Sequence, residues 1–182
     1  MGKIITARKL EGEGERAQQY VRSYILFPSG LMGLLAMVIG VLALVYQLIV
    51  DTYDEMTFLQ SSGLLIVGVV FGWGLTQYHK YILREHPEFF ASRMRTMSQG
   101  GPPKPKKAPS EVELSHAGRN LIPVAYLVGI GTLIGLSLWS MSTDSLDYMA
   151  AAAMPWAGFF WGKLFSWRKI IPPVPPEKKN RR

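Results

Sequence analysis

Histidine, lysine, tryptophan and a few buried amides are the side chains through which this sequence could do chemistry. Of the three histidines, His79 lies at the end of an apolar segment, whereas His86 and His116 lie in the polar stretch that follows it. A haem held between helices is commonly ligated by paired histidines. No second histidine stands in an apolar segment, so His79 is left as a lone candidate ligand for a redox or pigment-binding subunit. There is no cysteine, which excludes disulfides, thiolate nucleophiles, cysteine zinc sites and cysteine-bound iron–sulfur clusters. Lys163 is the one charged residue inside an apolar segment, and Trp167 follows one turn later. A stem of four methylenes lets such a lysine carry its ammonium to the membrane surface. Gln47 supplies a single amide, enough to hydrogen-bond a neighbour but not to form a pathway. Deep ionisable groups, the usual mark of ion-coupled transport, are absent from the sequence pattern. So are a nucleophile–base pair, a metal-binding run and a phosphate-cradling glycine loop. The expectation is no catalytic, metal or cofactor-binding residue, and a chain that is not an enzyme.

Glycines four residues apart make a different kind of site. Gly68 with Gly72, Gly131 with Gly135, and Gly158 with Gly162 would each let a helix backbone come close to another, which is how membrane helices associate without a hydrophobic driving force. Ala36 with Gly40 is a softer version. Trp139 and Trp167 fit the aromatic belts of a membrane surface, Trp73 and Trp161 lie within two turns of one, and Trp156 stands deep. It follows Pro155, which cannot donate to the carbonyl of Ala151 and should kink its helix.

The elements that would position these residues are long and apolar. From Leu31 to Val50 every residue is apolar or glycine except Gln47. At ~1.5 Å per helical residue this run spans about 30 Å, the hydrocarbon thickness of a bilayer. Without a polar face, such a helix needs lipid or other membrane helices around it. Phe58 to Tyr78, Leu121 to Trp139 and Tyr148 to Trp167 extend the pattern. The expected fold is an all-α membrane protein with four transmembrane helices in two hairpins. No removable signal peptide is recognisable.

Orientation follows from charge. The sequence has 20 Lys and Arg, and a net charge of +7. Lys3, Arg8, Lys9, Arg16 and Arg22 precede the first apolar segment. Lys80, Arg84, Arg93, Arg95, Lys104, Lys106, Lys107 and Arg119 lie between the second and third, and the rest stand at Lys163 or beyond. The two hairpin loops hold none, and carry Asp51, Asp54, Glu55, Asp144 and Asp147 instead. Basic flanks stay in the cytoplasm, so both termini and the middle loop are expected inside, in a plasma or bacterial inner membrane. Lys104, Lys106 and Lys107 are the expected contacts to anionic lipid head groups, at ~1 kcal/mol each. No basic–aromatic module of a nucleic-acid reader is visible. The acidic loops do not provide the full oxygen cage of a cation site.

The polar segment 1–23 is expected to be cytoplasmic, with residues 17–24 extending the first helix and Pro28 close to its start. The first hairpin, 24–86, should end at His86-Pro87, because the residue before proline is pushed out of helical geometry. In the loop 87–120, Phe90, Met94 and Met97 share one face of an interfacial helix, and a Gly/Pro/Lys-rich linker follows. The second hairpin is 121–171 and the proline-rich basic tail 172–182. One gapless shift pairs Leu31 with Leu121, Asp54 with Asp144, Gly68 with Gly158 and Gly72 with Gly162, which would make the hairpins a weak parallel duplication. The functional expectation is a non-catalytic structural, accessory or assembly subunit of a larger membrane complex. A small homo-oligomeric transporter or channel is the alternative, and a redox or pigment-binding subunit using His79 the third reading.

Overall fold

The computed structural model describes residues 14–98 and 121–167. Lys104, Lys106, Lys107, His116, the linker and the tail lie outside the described residues. Five helices occur among those described, and no strand. They are α1 (Gly14–Ile49), α2 (Glu55–Glu85), α3 (Pro87–Ser98), α4 (Leu121–Met141) and α5 (Tyr148–Trp167). Three of them, α1, α2 and α4, are long and apolar enough to cross a membrane. Large side chains such as Leu42, Leu48, Leu59, Val70 and Leu127 stay exposed along them, more apolar surface than water tolerates on a monomer. The chain is a multi-pass integral membrane protein.

Pro28 stands in the first turn of the α-helical stretch Phe27–Ile49, but that stretch continues an earlier helical segment. Helix α1 begins well before Pro28, at Gly14, and runs on to Ile49. The chain accommodates the proline by widening to a π-helix over Val21–Leu26, where the Phe27 amide donates to the Arg22 carbonyl. Pro28 has no N–H to offer Tyr24, and a π turn redistributes the hydrogen bonds around that gap. Helix α2 starts on a capping box: the Asp54 carboxylate accepts from the Thr57 amide at 2.7 Å, and the Thr57 hydroxyl stands 3.3 Å from the Asp54 amide. It ends at Glu85, and His86 leaves helical geometry just ahead of Pro87.

Helix α5 is the axis of the bundle. It combines Ala150, Ala151, Ala153, Ala157, Gly158 and Gly162 on buried positions, small residues that let backbones meet. Helix α2 runs parallel to it. A β-carbon on Gly158 would strike the Leu65 backbone, one on Gly162 would come within 2.6 Å of the Val69 carbonyl oxygen, and ones on Gly68 and Gly72 would strike the Pro155 and Phe159 carbonyls. These two glycine pairs therefore close on one another. On the other side α1 packs antiparallel, with Gly33 against Phe160 and Gly40 against Met154. Its buried residues Ser29, Gly33, Gly40, Ala43 and Gln47 follow the alternating three- and four-residue spacing of a left-handed helix pair. Helix α4 lies against α2 and α5, and Gly129 faces Phe71. A β-carbon on Gly131 or Gly135 would meet nothing within 4 Å among the described residues.

At the hairpin-loop end, polar side chains tie the hairpins together. The Thr57 hydroxyl lies 2.7 Å from the Ser145 carbonyl and Gln47 Nε2 donates to the same oxygen at 3.3 Å. Buried Ser140 donates to Gln60 Oε1 at 2.9 Å. Asp147 accepts from the Met149 amide at the start of α5. The loop residues Asp51 and Asp144 both take positive φ, 61° and 53°, but the shift relating these two is longer than the one pairing Gly68 with Gly158. No single gapless shift therefore aligns both the turns and the glycine pairs.

Candidate functional site

At the opposite, basic end, the helix termini converge on a second core. Ala17, Tyr20 and Val21 of α1, Ile82 of α2, Phe90 of α3 and Trp167 of α5 are buried together. Two expectations change here. Trp167 is fully buried, not part of a lipid-facing belt, because the N-terminal part of α1 and the end of α2 enclose it. Helix α3 turns Phe90 into this core and packs Met94 against it, so these two residues of its apolar face meet their own chain, while the Met97 side chain lies outside the described residues. Trp139 and Trp73 are more than half exposed.

Beside this core opens a cavity of about 440 Å³. One wall comes from the π-helical stretch of α1 and its flanks, with Tyr20, Tyr24 and Ile25, followed by Ser29 and Met32. The facing side holds His79 of α2, Tyr126 of α4 and Phe160 with Lys163 of α5, and Phe89, Phe90 and Arg93 of α3 complete it. Ring contacts stiffen the wall: Tyr20 stacks on Tyr24 at 5.2 Å between centroids and leans on Phe90 at 5.7 Å. The Lys163 ammonium sits 5.4 Å from the centroid of Phe159, and the Arg93 guanidinium 4.5 Å from that of Phe89. Cations over aromatic faces gain from the ring quadrupole. Among the described residues no carboxylate lines the cavity, which leaves it cationic.

His79 and Lys163, the two residues singled out by type, are thus brought to one cavity. His79 Nε2 lies 3.3 Å from the Tyr126 hydroxyl, while Nδ1 is buried with no partner among the described residues. Among the described residues no group of three His, Asp or Glu is gathered for a metal ion. No family model matches the chain, nor does any curated protein or solved structure.

The cavity residues that sequence reasoning missed are Tyr20, Tyr24 and Tyr126, whereas Arg93 is readable from the sequence as a basic residue able to reach lipid head groups, though not as part of a cavity. The signal for the first two was their one-turn spacing ahead of an apolar run. Nothing in local sequence brings Arg93 and Tyr126 to them, because α3 and α4 arrive through tertiary packing. On α1 spacing alone points to Ala36 with Gly40, and the packing adds Ser29, Gly33 and Ala43 to the buried face.

Proposed function

We propose that the chain is a four-span protein with both termini and residues 87–120 in the cytoplasm, acting as a non-catalytic structural or assembly subunit of a larger membrane complex. Helix α5 supports the fourth span: it runs beside α2 in parallel register from Leu65 to Lys163, so it occupies the same depth as a helix that can cross. Its composition of Ala, Trp, Tyr and Pro makes it less apolar than the others because it faces protein. The exclusion of Lys and Arg from both hairpin loops supports the orientation.

The observation that carries the assembly reading is the outward position of one glycine pair. Gly68, Gly72, Gly158 and Gly162 are consumed by the α2–α5 contact, whereas Gly131 and Gly135 of α4 are exposed. Such a face offers a partner helix the same close approach. The test is purification of the tagged protein in mild detergent beside Gly131→Leu. A distinct membrane subunit should co-migrate with the parent and be lost from the variant, with the melting temperature of the isolated chain unchanged. A parent that migrates only with copies of itself would overturn the accessory role and favour the homo-oligomeric channel or transporter.

A further inference from the structure

The cavity at the basic end has features that helix packing alone does not require. It is large enough for more than water, and two cations from separate helices line it. Lys163 comes from α5 and Arg93 from α3, and no described carboxylate neutralises them there. Holding two like charges beside one half-buried space costs free energy unless a counter-charge enters. The rest of the lining is divided by chemistry: Tyr24, Ser29 and Tyr126 bring hydroxyls, while Ile25, Met32 and Phe160 are apolar. This pairing of cationic and hydroxyl groups with an apolar wall matches an amphiphile with an anionic head.

We infer that this cavity binds the phosphate of an anionic membrane phospholipid, with Lys163 and Arg93 as its charged partners and the Ile25, Met32 and Phe160 wall taking the glycerol and first methylenes. Charge-assisted hydrogen bonds from a lysine and an arginine are the strong contacts for a phosphate oxygen. A choline head is disfavoured, because its ammonium would face two cations. The inference rests on the ends of α2 and α5 lying at a membrane surface, and it holds for either leaflet. It is therefore independent of the assembly role proposed above.

The experiment uses the full chain in a non-ionic detergent. Dioleoyl phosphatidylglycerol, dioleoyl phosphatidylcholine or inorganic phosphate is added, and binding is read by native mass spectrometry and by the melting temperature. Phosphatidylglycerol should stay bound as a single adduct and raise the melting temperature, with phosphatidylcholine and phosphate doing neither at matched concentration. Lys163→Gln and Arg93→Gln should each weaken phosphatidylglycerol about tenfold. Arg22→Gln, which removes an exposed charge of α1 outside the cavity lining, should leave it unchanged. Lipid-free melting of each variant shows whether it is folded. Should Lys163→Gln fail to fold, Arg93→Gln decides, since Arg93 is exposed. Equal binding of the two lipids, equal stabilisation by inorganic phosphate, or an equal loss in Arg22→Gln would each overturn the inference.

Discussion

Glycine is worth most in this bundle where another backbone occupies the space a β-carbon would need. On Gly68 the obstacle is the Pro155 carbonyl, and on Gly162 it is the Val69 backbone at 2.6 to 3.1 Å; neither can rotate away as a side chain would. Gly68→Ala and Gly162→Ala must push α2 and α5 apart, and overpacking of this kind costs about 1 to 3 kcal/mol. Gly74→Ala and Gly131→Ala add the same methyl to open space, where alanine is favoured over glycine in a helix by up to ~1 kcal/mol. Thermal melts in detergent should therefore separate the two classes, the first below the parent and the second at or above it. Melting of Gly68→Ala at the parent temperature would remove the close-contact account of this pair. The glycine pairs also show what spacing alone leaves undecided, since Gly131 and Gly135 share the motif and not the contact.

The ends of elements carry the polar chemistry. At the start of α2, hydrogen bonds from the Thr57 side chain and amide hold the Asp54 carboxyl below its usual value of 3.8. A carboxylate whose pKa is lower in the folded state stabilises fully above its ordinary pKa, and that contribution disappears as pH falls through the lower, folded value. Acid titration of the melting temperature should thus show a component lost below pH 3.8. Asp54→Asn, which still caps but does not titrate, should lack that component, and the difference between the two curves isolates it from other carboxylates. Identical curves would show that the cap contributes nothing to acid stability. At the other end of α2, the His86-Pro87 break was readable from local sterics, whereas the burial of Phe90 in α3 depended on Trp167 and Tyr20 arriving from elsewhere.

For the whole molecule, the distribution of basic residues makes a prediction about sidedness. Cysteines at Thr52 and Ser142, both exposed in the hairpin loops, should react with an impermeant reagent added outside intact cells; one at Gln19, exposed on α1, should not. Labelling of Gln19→Cys under those conditions would reverse the orientation. The arrangement also explains why the fourth apolar segment is less apolar than its companions. A helix enclosed by α1, α2 and α4 meets little lipid, so selection on α5 is for size: Ala150, Ala151, Ala157 and Gly158 are buried almost entirely, and small residues set how closely the neighbours approach.

Local rules were enough for the apolarity of α1, α2 and α4 and for the helix break at Pro87, because each depends on composition or sterics within one segment. Tertiary structure decided which glycine pair stayed outside, why Trp167 left the lipid surface, and how His79, Lys163, Arg93 and Tyr126 came to line one cavity. Those outcomes depend on the rotation of each helix about its axis and on which helices become neighbours. In a membrane every helix is apolar on nearly all faces, so the amphipathic signal that would reveal that rotation in a soluble protein is missing, and only the packing itself supplies it.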